Sequence, residues 1–134
     1  MAGDPRILCS NPADAAPPGG HYSHATAFGD LVFTSGQLPV QATGEHDVAA
    51  AFGVQAGRAL ANLDAALRAA GSSRKSILKL TAYVTDIGDW PHFNTLYAEF
   101  MGNHRPARCV VPVPELHFGY AIEIEAVALK DKAG

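Results

Sequence analysis

The sequence predicts an α+β fold in which two helices cover one face of a mixed sheet. Two helix-period apolar stripes, one in residues 48–70 and a shorter one from Phe93 to Phe100, predict the helices. Short β-branched and aromatic runs before, between and after those stripes predict the strands. The expected order is β-β-α-β-α-β-β, over 134 residues that form one domain, 1–134. A chain of this length buries roughly two-thirds of its unfolded surface, enough for a core without staples.

The first twenty residues carry Pro5, Pro12, Pro17, Pro18, Gly19 and Gly20 and read as an extended N-terminal arm. Ser23–Phe28 and Leu31–Ser35 then flank Gly29-Asp30, where glycine at the first turn position suits a type II′ hairpin. In Val48–Ala70 the residues Phe52, Ala56, Leu60, Leu63 and Leu67 make one helical stripe. Asp47 is placed to cap its start and Gly71 to end it. Ile77–Val84 is a strand whose Leu78, Leu80, Ala82 and Val84 share a face, opposite Lys79, Thr81 and Tyr83. Asp89 and Pro91 open a second helix that buries Phe93, Leu96, Tyr97 and Phe100 and stops at Gly102. Ala107–Val111 is a strand that Pro112 and Pro114 confine to an edge or a bulge. Ala121–Leu129 is the last strand, in which Ile122, Ile124, Ala126 and Ala128 alternate with Glu123, Glu125, Val127 and Leu129. Two helices cover one sheet face only, so the other, with Leu38, Val127 and Leu129, is wet or meets another chain.

Composition narrows the function classes. Hydrophobic residues make 48% and charged residues 17%, an ordinary globular balance. No apolar run reaches the ~18 residues of a membrane span. Met1–Cys9 carries Asp4, Pro5 and Arg6 and no apolar secretory core, so a soluble, cytoplasmic protein without membrane association is expected. Thirteen acidic residues outnumber ten scattered basic ones, for a net charge of −3, which speaks against a nucleic-acid partner. Cys9 and Cys109 form no metal spacing or disulfide framework. His21 and His24 lack a third ligand, so no metal is expected, and His92 and His117 are given no role.

The candidate chemistry centres on Arg108, a guanidinium opening the apolar run Cys109-Val110-Val111. A buried charge needs an anionic partner, and a guanidinium fork matches a carboxylate bidentately. That partner is either a substrate carboxylate or an internal ion pair with Glu123 or Glu125. These two glutamates lie about 7 Å apart on one strand face and suit either acid–base work or a solvated face. Gly36, between Ser35 and Gln37, admits close approach of a ligand or forms a bulge. Tyr22 sits in a loop after Gly19-Gly20, as a binding group or an exposed anchor. Cys109 is either an activated thiol or a small buried hydrophobe.

Taken together these residues resemble the reactive-intermediate (enamine/imine) deaminase family, RidA, also called YjgF. The resemblance runs from Pro17 to Leu129. It rests on Ala16-Pro17 through Tyr22-Ser23, Ser35-Gly36-Gln37, Asn62-Leu63 and Ala69-Ala70-Gly71, and on Thr85-Asp86-Ile87 with Asp89, Asn94 and Tyr97. Pro106-Ala107-Arg108 and Glu123-Ile124-Glu125-Ala126 complete it. It implies a chorismate-mutase-like protomer and a homotrimer whose sheets pack into a central barrel, with ligand sites in the clefts between subunits. It implies hydrolysis of 2-aminoacrylate-type imines to 2-keto acids and ammonia, without metal or organic cofactor. In that pattern Arg108 grips the substrate carboxylate and Glu123 positions the water. Tyr22, Ser35, Gly36 and Asn94 line the cleft, and Cys109 holds the position after the arginine. The alternative is a non-catalytic module that binds small carboxylates in the same cleft. His24 stands where the family often has glutamine, and Leu116-His117-Phe118-Gly119-Tyr120 replaces the family's Leu-Pro before the last strand, so substrate preference is the property most open to change.

Overall fold

The computed structural model describes residues 1–132. Its strands are β1 (Leu8–Ser10), β2 (Ala25–Phe28), β3 (Leu31–Thr34), β4 (Ile77–Val84), β5 (Ala107–Pro112) and β6 (Ile122–Leu129). The helices are α1 (Phe52–Ala69) and α2 (Trp90–Met101). The strands form one six-stranded sheet in the order β1-β2-β3-β6-β4-β5. All neighbours are antiparallel except β4 and β5, which the α2 crossover makes parallel. The expected α+β class and mixed sheet are therefore present, with one strand added in front. Extended Leu8–Ser10 pairs with Ala25–Ala27 and lengthens the sheet at that edge.

The hairpin is as expected. Phe28 pairs with Leu31 across two turn residues, and Gly29 takes φ +59° while Asp30 keeps a negative φ. This is the geometry of a type II′ turn, which only glycine enters without strain. The start of α1 differs from expectation. Helix α1 begins at Phe52, capped by Ala51 with no side-chain hydrogen bond. Buried Gln55 explains the late start: its amide donates to the carbonyls of Val48 (3.2 Å) and Ala50 (3.0 Å), and its Oε1 accepts from Ala121 N (2.8 Å). These bonds hold residues 48–50 in a turn tied to the start of β6. Asp47 caps nothing and instead pairs with Arg58 at 3.2 Å. Helix α2 starts where expected, with Asp89 at the cap position and Pro91 in the first turn, but the Asp89 side chain makes no capping bond; Asp86 accepts from Gly88 N in the preceding turn. The far end of α1 is as expected. Gly71 has φ +80°, its N–H reaches Arg68 O, and Ser72 N reaches Leu67 O, the paired bonds of a Schellman ending.

Leu78 does not share the inner face of β4. A register shift between Ile77 and Lys79 turns Ile77 inward and leaves Leu78 exposed. The core lies between α1, α2 and the inner sheet face, built on Leu63, Leu67, Phe93, Leu80, Val32, Ile122 and Ile124, all fully buried. Truncating one such leucine to alanine costs about 2–5 kcal/mol. On the open face Leu31 pairs with Leu129 and Phe33 with Val127, leaving an exposed apolar stripe beside Phe28. Leu38 lies past β3 and lines the cavity described next. Among the described residues no helix is long and apolar enough to cross a membrane.

Candidate functional site

Beyond β3 the chain continues alongside β6. Gln37 N donates to Ile124 O at 2.7 Å, and Ile124 N returns a bond to Gln37 O at 3.1 Å. This short pairing brings Gly36 against Glu123. A Cβ on Gly36 would lie 2.8 Å from both Cδ and Oε2 of that glutamate. The N-terminal arm then closes over the pair and forms a cavity of about 690 Å³. Tyr22, Ser35, Gly36 and Glu123 all line it.

Each wall has a local cause. Ser35 Oγ donates to Ser23 O at 2.6 Å, and Tyr22 Oη accepts from Gly19 N at 3.3 Å, so the loop folds on itself. His24 is buried and bridges the arm to the strand end. Its backbone N donates to Asn11 Oδ1 at 2.9 Å, its Nε2 lies 2.9 Å from Ala16 O, and its Nδ1 lies 3.1 Å from Gln37 Nε2. A carbonyl only accepts and an amide nitrogen only donates. These partners therefore assign the proton to Nε2. Asn62 of α1 donates to Leu38 O and Val40 O, both at 2.9 Å, and fixes the opposite rim.

Burial raises the Glu123 carboxyl above its ordinary value, the nearby His117 opposes that shift, and Glu125 adds to it. His117, expected to have no role, is thus an electrostatic neighbour of the glutamate. Glu125 accepts from Tyr83 Oη at 2.7 Å on the open face.

Arg108 stands apart from this cavity. It is opposite Leu80 in the β4–β5 register and so lies on the helix side of the sheet, whereas Glu123 is opposite Tyr83 on the open side. Its Nη1 donates to Asn94 Oδ1 at 3.0 Å. The guanidinium lies over the aromatic faces of α2, 5.0 Å from the Tyr97 ring centre, 5.9 Å from Trp90 and 6.0 Å from Phe93. Burial pushes the Tyr97 phenol up, and the Arg108 charge partly offsets it. Among the described residues Arg108 has no carboxylate within ion-pair distance. The internal pair with Glu123 or Glu125 is therefore not formed. Cys109, opposite Thr81, is exposed on the open face, so it is not the small buried hydrophobe considered for it. One protomer thus divides the predicted residues into a cavity group and an Arg108–Asn94 group. Among the described residues no cluster of three His, Cys, Asp or Glu side chains is placed to hold a metal ion.

A third group was missed by sequence reasoning. Phe118 has φ +63°, a left-handed conformation that costs a bulky residue about 1–3 kcal/mol. Its ring stacks on His46 at 3.9 Å between centres with a 21° tilt. His46 Nδ1 is in turn 2.7 Å from the hydroxyl of buried Tyr120. Phe118, His46 and His117 line the cavity. The one signal for them was the departure at Leu116–Tyr120.

The fold, with its cavity walled by Tyr22, Ser35, Gly36 and Glu123, has counterparts among known proteins. The chain belongs to the RidA/YjgF family: the family model described as Endoribonuclease L-PSP matches residues 13–130. It is 44% identical over 115 residues to the RutC family protein y4sK of Sinorhizobium fredii, covering 85% of this chain and 90% of that one. It is 38% identical over 115 residues to TdcF of Escherichia coli, whose name proposes a reactive intermediate deaminase, covering 83% and 88%. The crystal structure of Escherichia coli TdcF with bound serine superposes with a TM-score of 0.86 at 35% identity, covering 92% of this chain and 99% of that one.

Proposed function

We propose that the protein hydrolyses reactive enamine/imine intermediates of the 2-aminoacrylate type to 2-keto acids and ammonia. The observation that carries this reading is the Arg108 guanidinium, held by a neutral amide over aromatic rings and left without a carboxylate among the described residues. Such a group is ready for an incoming carboxylate. The second support is the Glu123 carboxyl, raised by burial and pressed against Gly36 at the cavity wall.

Arg108 and Glu123 act together only across two copies of the chain. The exposed stripe of Leu31, Phe33 and Leu129 favours burial between copies. In the proposed homotrimer the Arg108 of one copy faces the cavity of the next. The arginine then fixes the substrate carboxylate, and Glu123 orients a water and accepts its proton as the oxygen bonds to the carbon of the iminium, whose nitrogen has taken a proton from solvent and now receives the C=N electron pair. Glu123 returns its proton to the amino group of the resulting carbinolamine; the C–N bond breaks to release ammonia, and the hydroxyl loses its proton to solvent as the C=O bond forms. The imine is already electrophilic, so positioning and a base, worth roughly 10²–10⁴-fold, suffice. The family model's description names an endoribonuclease. The net charge of −3 and the absence of a basic stripe in the sequence favour a small acid over RNA.

The test is to generate 2-aminoacrylate with a serine dehydratase and follow imine loss. Acceleration over buffer that disappears in Arg108→Ala supports the reading. No acceleration, or full activity in that variant, overturns it. Retained 2-keto acid binding without turnover on any imine identifies a binding module instead.

A further inference from the structure

We propose that the Phe118–His46 stack forms a side-chain subsite that selects imines, and their 2-keto acid products, with bulky apolar and above all ring-bearing side chains. The inference rests on the deaminase reading and names the substrate class of the same site. A cavity of about 690 Å³ is within the range of sites for drug-sized ligands and far larger than 2-iminopropanoate, with its methyl side chain, needs. Glu123 and the carboxylate clamp account for the polar end of a substrate. Pro17, Pro18, Leu38, Val40 and Phe118 give an apolar stretch of the remaining wall.

Phe118 is built into that wall. It keeps a left-handed backbone that a phenylalanine ordinarily avoids. One ring face rests on His46, and 61% of the residue stays exposed. His46 is itself oriented by the buried Tyr120 hydroxyl, so the stack is anchored from inside the fold. An exposed aromatic face held in fixed orientation at a cavity wall is a surface for stacking another ring. His117 precedes Phe118 and lies near Glu123, which places the wall beside the reacting end rather than at a remote rim.

Equilibrium calorimetry on the full chain tests this without requiring catalysis. Pyruvate, 4-methyl-2-oxopentanoate and phenylpyruvate are titrated into the wild type, Phe118→Gly and Phe118→Asn. Both variants tolerate a positive φ and lack the ring, so if one fails to fold the other still reports. The expected result is phenylpyruvate bound about tenfold or more tighter than pyruvate by the wild type, in line with the discrimination apolar pockets reach. In the variants the preference falls to about twofold, chiefly through weaker phenylpyruvate binding. Equal wild-type affinities, no 2-keto acid binding at all, or a preference that survives in both variants overturns the subsite. Loss of imine turnover with the binding preference intact overturns the hydrolytic reading alone.

Discussion

The Glu123 carboxylate rests against the Cα of Gly36, so closely that a Cβ there would stand 2.8 Å from Cδ and Oε2 and 3.1 Å from Cγ. The clash would fall on the end of a flexible side chain, not on backbone. Gly36→Ala is therefore expected to fold with a stability change within about 1 kcal/mol while the carboxylate swings away. Because displacement by an ångström can cost about a hundredfold, kcat/KM on an imine should drop by roughly 10–100-fold. Thermal unfolding and steady-state rates measured on the same preparation check both halves. An unchanged rate would disconnect Glu123 from the chemistry.

The raised Glu123 carboxyl predicts two pH dependences. Its ordinary value is 4.5, and burial, the main cause, lifts it in the folded state. The folded chain then binds that proton more tightly than the unfolded chain. Stability from this group is full below the ordinary value and is lost as pH rises through the raised one. Glu123→Gln removes this loss, so its melting temperature should gain on the wild type across that window and match it in more acid solution. Activity should move the opposite way. A base works when ionised, so wild-type kcat/KM should climb above pH 4.5 as Glu123 loses its proton. The glutamine variant should lack that limb.

Asn94 offers a sharper test of the clamp than deleting the arginine. Its Oδ1 accepts from Arg108 Nη1 at 3.0 Å and, among the described residues, leaves the guanidinium charge without a carboxylate. Asn94→Asp places a carboxylate at the same point and neutralises the cation within the protomer. The partly exposed pair should alter stability by at most about 1 kcal/mol. The KM for an imine should rise about tenfold or more, and 2-keto acid affinity should fall with it. A variant that binds 2-keto acids as well as wild type would remove Arg108 from the carboxylate site.

The course of the chain was largely legible because its signals are local. The period of Leu60, Leu63 and Leu67 and the glycines at 29 and 71 report their own backbone needs. The start of α1 was misread because a tertiary contact decides it: Gln55, which accepts from Ala121 N, captures the carbonyls of Val48 and Ala50, which the apolar period cannot anticipate. The inward turn of Ile77 had the same kind of cause, a bulge against β6. At the site, Arg108 and Glu123 were identifiable as residue types, but their placement on opposite sides of the sheet follows from strand register. The Phe118 wall was least legible, since it depends on a left-handed backbone and on His46, distant in sequence.

His24 carries the last prediction, because it couples the arm to the wall of the cavity. Its ring joins the Ala16 carbonyl on one side to the Gln37 amide on the other, and Gln37 also donates to Ser35 O. His24→Ala leaves a buried Gln37 amide hydrogen without its partner and frees the Ala16 carbonyl. Unsatisfied buried groups of this kind cost about 1–3 kcal/mol. The expected result is a lower melting temperature together with faster proteolytic cleavage in residues 15–20, which line the cavity. His24→Gln, with one amide oxygen and one amide nitrogen, can accept from Gln37 and donate to Ala16 in turn and should recover part of both losses. If the alanine variant melts lower yet its arm is no more open to protease, His24 supports the strand end only and the arm is held by other contacts.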